Sequence, residues 1–237
     1  MFRSLLLAAA LLVALPAAAA PKAKPPVRAD WLHSFAATPA GGFRIGNVNA
    51  PVKLIEYASL TCPHCRHFHE TGMAALRSKY IATGKVSYEY RSFVLNGPDF
   101  AASLIARCDG ASAFFARVNL LYSTQEQWTA PFAALTPDDT AKLAALEPDA
   151  QIGGMAKLGG LDTFMAAHGM SVDHVTQCLA NKAARDKLSA MASTVGTLGI
   201  HSTPSFLIDG AVAADANTWE QVEPLIVAAL RKRPPNG

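Results

Sequence analysis

A CPHC motif at residues 62–65 constrains the fold of this 237-residue chain more than any other feature. Residues 52–58 before it are mostly apolar and rich in strand formers, whereas residues 66–82 after it have helical sequence. Two cysteines separated by two residues at a strand-to-helix junction predict a redox-active dithiol. The pattern therefore predicts an α/β fold with the sulfurs at the N-terminus of a helix.

The four residues of the motif have distinct predicted roles. Unpaired backbone N–H groups and the helix dipole stabilise a thiolate at a helix N-terminus, so Cys62 is expected to be the exposed, attacking sulfur. Pro63 suits the first helical turn, where its missing N–H costs nothing, and is expected to border the bound substrate. His64 lies between the sulfurs and can add positive charge or donate to the thiolate. Cys65 is expected to be the less accessible, resolving thiol.

Two other interpretations of the motif stay open. A Cys62–Cys65 disulfide could be merely structural, although so short a loop constrains the unfolded chain little. A zinc or copper site could combine both cysteines with His67 and His69. However, residues two apart on a helix do not share a face, so no metal is expected.

The N-terminus has the pattern of a secretory signal peptide over residues 1–20. A positive charge at Arg3 precedes an apolar run that ends in three alanines at 18–20. We expect cleavage after Ala20 and export to the periplasm, with an uncleaved anchor as the alternative. Removal of Arg3 lowers the formal net charge from +3 to +2 (3 − 1). This near-neutral balance favours no nucleic-acid partner.

The rest of the chain alternates between sheet-forming and helical sequence. Residues 86–94 predict a second strand, parallel to the first and reached by a right-handed crossover. Four to six short helices are expected from Asp99 to about Leu198, followed by a strand at 205–208, a hairpin and a final helix. The predicted organisation is a signal peptide at 1–20, a partly disordered leader at 21–42, a first part of the sheet domain at 43–96 with a short edge strand at 43–46, a helical insertion at 97–198, a second part of the sheet domain at 199–233 and a tail at 234–237.

Five features together resemble the DsbA-like branch of the thioredoxin superfamily. They are Glu56 six residues before Cys62, the CPHC motif, the long helical insertion, Thr203-Pro204 before a hairpin, and a C-terminal helix. The resemblance implies a thioredoxin fold, with a central mixed sheet flanked by helices and an inserted all-helical domain. It also implies thiol–disulfide oxidation of reduced, unfolded secreted proteins.

The resemblance assigns roles to residues outside the motif. Pro204 resembles the family's cis-proline; X-Pro is the only common cis bond, although most such bonds are trans. Thr203 would offer its backbone to a substrate chain beside the sulfurs. Glu56 resembles a buried acid that accepts a proton from the resolving thiol Cys65. The alternative for Glu56 is an ordinary strand residue that faces solvent.

The other two cysteines, Cys108 and Cys178, both fall in the helical insertion. The best-known members of the family lack them, but some related proteins carry a second disulfide. We therefore predict a Cys108–Cys178 disulfide between two insertion helices. The alternative is a pair of buried free thiols.

The predicted function is that of a monomeric oxidase that donates its Cys62–Cys65 disulfide to substrates. No flavin or quinone motif is visible, so no cofactor is expected, and the resemblance implies reoxidation by a membrane quinone-linked oxidase of the DsbB type. Thr203 stands where the best-known oxidases carry valine and isomerases carry threonine, which makes a disulfide isomerase or reductase the alternative. However, the segment before residue 43 is too short for the dimerisation domain of such isomerases. A redox-inert chaperone or metal-binding module is an alternative of a different class.

Overall fold

A six-stranded mixed sheet forms the centre of the protein, for which a computed structural model describes residues 29–233. The strands are β1 (Phe35–Ala37), β2 (Phe43–Ile45), β3 (Val52–Ala58), β4 (Val86–Ser92), β5 (Ser205–Ile208) and β6 (Ala211–Val212). Their spatial order is β1-β2-β4-β3-β5-β6, with β3 and β4 parallel and every other pair antiparallel. The predicted signal peptide, the first part of the leader and the C-terminal tail lie outside the described residues.

The predicted β-α-β unit is present. Helix α1 (Pro63–Ala75) follows β3 and continues as a π-helical turn to Ile81 before β4 begins. Cys62 caps α1 with an extended backbone, and its carbonyl accepts from the N–H of Arg66 at 3.1 Å. Gly84 follows the end of this helical run, where it has a φ of +71° and donates its N–H to the carbonyl of Ile81.

The edge of the sheet differs from the prediction. The strand expected at the edge, β2, lies between β1 and β4, because the unpredicted strand β1 pairs with its other side. Strand β1 has only three residues, two of them alanine, so it carries no readable alternation. Part of the leader is thus built into the sheet, where the Thr38 hydroxyl also donates to Glu89 at 2.7 Å.

Eight α-helices lie between β4 and β5, where four to six were expected. The extra helices are short ones separated by proline or glycine, a pattern that leaves the number of segments ambiguous in the sequence. They are α2 (Gly97–Arg107), α3 (Gly110–Ser123), α4 (Gln125–Ala133), α5 (Pro137–Ala144), α6 (Pro148–Leu158), α7 (Leu161–Ala167), α8 (Val172–Ala180) and α9 (Lys182–Thr194), followed by a 3-10 turn and, after β6, by α10 (Trp219–Arg231).

One large apolar cluster joins the sheet to the helical segment. The ring of Phe43 in β2 stacks on that of Phe114 in α3, with centroids 4.3 Å apart. On the other side of the core, Phe68 of α1 packs against Phe206 of β5 at 4.6 Å. The helical segment therefore packs directly on the sheet, and it can supply side chains to a site at the carboxyl end of β3.

The predicted disulfide joins Cys108, at the C-terminus of α2, to Cys178 in α8. The two residues are 70 positions apart, and closing a loop of that length stabilises the folded state by about 4 kcal/mol in the chain-entropy model. The alternative of two free thiols is wrong.

None of the helices between residues 29 and 233 combines the length and the apolar character that a membrane crossing requires.

Candidate active site

The two cysteines of the motif lie at the carboxyl end of β3, where the chain turns into α1. Their sulfurs are not bonded to each other, so the structure shows the reduced form. Cys62 is 5% exposed and Cys65 is 0% exposed. Cys62 is therefore the more accessible of the two, but the prediction of an exposed sulfur is wrong, because the loop carrying Thr203 packs directly against it.

The environment shifts the two thiol pKa values in opposite directions. The pKa of Cys62 falls to about 5 because the Cys65 thiol donates to its sulfur; the Thr203 side chain and the N–H groups of Cys65 and His64 add to this, and burial opposes it. The pKa of Cys65 is raised well above its usual value by burial first, then by its bond to Cys62 and the charge of Glu56. Cys62 is thus suited to be a nucleophile and leaving group, and Cys65 to hold its proton.

His64 contributes to the site through its backbone. Its N–H stabilises the Cys62 sulfur, whereas its side chain is exposed, as is that of Pro63. The predicted donation to the thiolate therefore comes from the main chain of His64, and the exposed pair of side chains borders the outer side of the motif.

The loop before β5 approaches Cys62 from the other side. The Thr203-Pro204 peptide bond is cis, as the resemblance implies. The Cys62 thiol lies 3.3 Å from the Thr203 carbonyl oxygen and donates to it. Strand β5 pairs with β3, with Ser205 opposite Tyr57, and this register holds the cis-proline loop at the motif. Pairing within the sheet thus joins two segments that are far apart in the sequence.

Glu56 is completely buried beneath the motif, so the solvent-facing alternative is wrong. Its Oε2 accepts hydrogen bonds from the Tyr88 hydroxyl and from His69, whose Nε2 lies 3.2 Å away. Its Oε1 has no hydrogen-bond partner among residues 29–233. An acid with one free oxygen, whose charge acts on Cys65, fits the predicted role of proton acceptor.

Three tyrosines and a histidine complete what we call the inner cluster, formed by Glu56, His69, Tyr88, Tyr90 and Tyr122. The hydroxyls of Tyr90 and Tyr122 lie 3.1 Å apart. The Tyr90 hydroxyl donates to the carbonyl of Ala58 at 3.2 Å, and the Tyr122 hydroxyl donates to that of Ser59 at 3.0 Å. No sequence pattern singled out the three tyrosines, and His69 was considered only as a possible metal ligand. The two-residue spacing of Tyr88 and Tyr90 on a predicted strand indicates a shared face, but nothing local to Tyr122 indicates its position.

Two further residues from the helical segment hold the loop before the motif. The Asp99 carboxylate accepts from the N–H groups of Leu60 (2.9 Å) and Leu95 (3.0 Å), and burial raises its pKa to about 6. Gln125 donates to the carbonyls of Leu60 at 2.8 Å and Cys62 at 3.1 Å. No sequence pattern indicates a role for either residue, and both position the first cysteine from a distance in sequence.

The histidines near the motif do not form a metal centre with the cysteines. His69 faces inward to Glu56, whereas His67 is exposed. Within residues 29–233, the one group of three side chains with metal-binding geometry is Cys108, His174 and Cys178, and its two sulfurs are bonded to each other.

Comparison with known proteins gives a consistent result. The sequence profile of the thioredoxin family matches residues 38–228. A Rickettsia typhi protein shares 30% identity over 168 residues, which are 70% of this chain and 54% of that protein. The provisional name of that protein is protein-disulfide oxidoreductase. The chain thus spans about half the length of that relative.

Solved structures match the chain over most of its length. The crystal structure of a protein-disulfide isomerase from Novosphingobium aromaticivorans superposes with a TM-score of 0.74 at 32% identity, over 79% of this chain and 96% of that one. The structure of alpha-DsbA1 from Wolbachia pipientis gives a TM-score of 0.64 at 23% identity, over 83% and 94% of the two chains. The second match shows a common fold.

Proposed function

Because this chain belongs to the DsbA-like thiol–disulfide oxidoreductases of the thioredoxin superfamily, we propose that it donates a Cys62–Cys65 disulfide to reduced, unfolded secreted proteins. The observation that carries the proposal is the opposite shift of the two thiol pKa values at a site where the Thr203 loop packs against Cys62. A stabilised thiolate at Cys62 favours the reduced form of the motif, and a motif that prefers to be reduced is an oxidant of other thiols.

The size of this effect follows from the pKa of Cys62. At pH 7, a thiol with a pKa of about 5 is about 2 pH units above its pKa. The thiolate is then more stable than the protonated thiol by about 3 kcal/mol. For a two-electron couple this corresponds to about 60 mV toward a more oxidising potential. The thiolate alone thus supplies a substantial part of the difference between an oxidant and a reductant of this superfamily.

The proposed cycle has two exchange steps. A substrate thiolate attacks Cys62 of the disulfide, the Cys62–Cys65 bond breaks, and Cys65 leaves and takes up a proton. A second substrate thiolate then attacks the substrate sulfur of the mixed disulfide, and Cys62 leaves as a thiolate. The substrate loses two electrons to the motif, and a reoxidising partner must remove them.

The compartment and the partners belong to the same proposal. We propose a periplasmic, monomeric protein that a quinone-linked membrane oxidase of the DsbB type reoxidises. The Cys108–Cys178 disulfide supports an oxidising compartment, where such bonds persist. Fractionation of producing cells, with mass analysis of the N-terminus, tests it; a full-length chain in the cytosolic fraction would contradict export.

A disulfide isomerase is the second candidate. The solved structure at 32% identity carries that name, and Thr203 places a hydroxyl beside Cys62, where it retunes the thiolate. The two candidates share the motif and differ in which substrates they serve: an oxidase converts reduced proteins, and an isomerase rearranges wrong disulfides. A redox-inert protein is not supported, because the pKa values of the two motif thiols are shifted in opposite directions.

Two measurements test the proposal. Equilibration of the Cys108→Ala/Cys178→Ala variant with glutathione buffers gives the potential of the remaining pair without interference from the structural disulfide. A value near −120 mV, about that of strong oxidants, is expected, and a value near −270 mV, about that of thioredoxin, contradicts the oxidase. Oxidation of reduced ribonuclease against reactivation of scrambled ribonuclease then separates oxidase from isomerase, with Cys62→Ser as the inactive control.

A further inference from the structure

The buried acid beneath the motif needs a proton route to water. Glu56 is 0% exposed, and a group that exchanges protons with Cys65 must be reprotonated or deprotonated once in every cycle. Within residues 29–233, the Oε1 atom of Glu56 has no hydrogen-bond partner, and its Oε2 atom contacts Tyr88 and His69. Tyr88 is itself completely buried. Among the described residues, His69 is therefore the contact of Glu56 that has access to solvent.

His69 lies between Glu56 and a surface cavity. Its side chain is 7% exposed, with Nε2 3.2 Å from the Glu56 carboxylate. The same ring lines a cavity of about 360 Å³ between α1, α3 and the N-terminal strand. Phe35, Met73 and Phe115 form its apolar walls, and His33 and Arg77 are its other ionisable groups. The cavity has room for several water molecules.

We propose that His69 carries protons between Glu56 and water in this cavity during thiol–disulfide exchange at Cys65. When Cys65 leaves the disulfide as a thiolate, the Glu56 carboxyl gives it a proton and becomes a carboxylate. Imidazolium at His69 then donates a proton to Glu56, and water in the cavity restores the proton on His69. Reoxidation runs the same transfers backward, so the relay holds for either direction of electron flow. It rests on the proposed exchange activity of the motif.

The groups around His69 are compatible with this role. Glu56 faces His69 from β3. Tyr88, on β4, has its hydroxyl 3.4 Å from the Nε2 atom of His69. The rings of Tyr90 and Tyr122 lie 6.2 Å and 4.3 Å away. Burial raises the pKa of all three tyrosines well above the usual range, so they remain protonated. The Glu56–His69 pair is left to exchange protons, with Arg77 and His33 at the cavity side.

Chemical rescue of a His69→Ala variant tests the relay. Oxidised protein is mixed with dithiothreitol, and the rate of motif reduction is followed across pH. We expect His69→Ala to lower the rate by about a hundredfold, the lower end of the range for general acid–base catalysis, and to change the pH–rate profile. Added imidazole should enter the enlarged cavity and restore most of the rate.

His33→Ala is the matched control, because His33 lines the same cavity but hydrogen-bonds Asp30 at 2.7 Å. It should keep the wild-type rate and respond to imidazole no more than wild type does. His69→Gln fills the space, so it should be slow and not rescued; it also serves if His69→Ala fails to fold. An unchanged pH–rate profile in both His69 variants, or equal rescue of His33→Ala, would overturn the relay. If wild type itself does not exchange, the proposed function fails instead.

Discussion

The two cysteines of the CPHC motif lie in different chemical surroundings, on an outer and an inner side of the motif. On the outer side, Cys62 meets backbone N–H groups and the cis-proline loop at Thr203. On the inner side, Cys65 faces the buried side chains of the inner cluster. Hydrogen-bond donors lower the pKa of one thiol, whereas burial and the negative charge of Glu56 raise that of the other. The two sides are coupled through the hydrogen bond between the sulfurs, so only substitutions beyond that bond can change the outer or the inner side by itself.

Loss of either sulfur gives the largest expected effect and separates the two sides. Cys62→Ser should abolish exchange completely, because the remaining sulfur of the motif, that of Cys65, is completely buried. Cys65→Ser should still attack a disulfide-bonded substrate such as scrambled ribonuclease once, releasing one substrate thiolate, and then accumulate the mixed disulfide, because nothing inside the motif resolves it. Non-reducing electrophoresis and intact-mass measurement follow the adduct. A stable adduct on Cys62→Ser would reverse the assigned roles.

The pKa of Cys62 predicts a pH-dependent stability of the reduced protein. A group whose pKa is lower in the folded than in the unfolded state stabilises the fold above its folded pKa, and this contribution is lost as pH falls. Relative to Cys62→Ser, reduced protein should gain about 1.4 kcal/mol per pH unit from about pH 5, or about 3 kcal/mol at pH 7.

Denaturant unfolding at several pH values measures this gain, and thiolate absorbance gives the pKa directly. A stability difference that stays flat between pH 5 and pH 8, or an absorbance midpoint near pH 9, would contradict the outer-side account.

Glu56→Gln tests whether the inner side acts independently. Gln keeps the size of the side chain but cannot exchange protons, so the rate of exchange at Cys65 should fall by about tenfold or more, with an altered pH–rate profile. The absorbance midpoint of Cys62 should stay near pH 5, because Glu56 is not among the groups that set it. A profile that matches wild type would remove the proton-transfer role of Glu56.

Thr203→Val gives the smallest expected change and refines the outer side. The loss of one hydroxyl hydrogen bond, about 0.5–1.5 kcal/mol, should raise the pKa of Cys62 by about 0.4–1 unit. The potential should become less oxidising by the matching amount, with the pH dependence of the Cys65 step unchanged. Thr203→Ser, which keeps the hydroxyl, is the control. A pKa that rises equally in both variants would show that packing rather than the hydroxyl is responsible.

Local sequence was sufficient for the features that lie close together along the chain. The motif, the strand before it and the helix after it follow from the strand-to-helix junction and the two-residue spacing. The family resemblance assigns roles to Glu56, six residues before Cys62, and to Pro204, in the pair Thr203-Pro204 before a hairpin. The Cys108–Cys178 disulfide was chosen on family resemblance, and the structure contains it.

The features that the sequence does not indicate depend on contacts between separate segments of the chain, some close in sequence and others far apart. Strand β1 has too few residues to show a pattern, and only its pairing with β2 defines it. Tyr122 and Gln125 reach the loop before the motif from more than 60 positions away. His69 was noticed only as a metal ligand on a helix, and its true neighbour Glu56 is on a strand.

The sequence alone thus determined the chemistry of the motif: which sulfurs meet, at which helix end, and with which acid nearby. The tertiary structure decided how each sulfur is tuned. Backbone geometry and short spacings are local properties that residue types reveal directly. Burial, by contrast, arises only when the helical segment packs on the sheet, and burial is the largest cause of the raised pKa of Cys65.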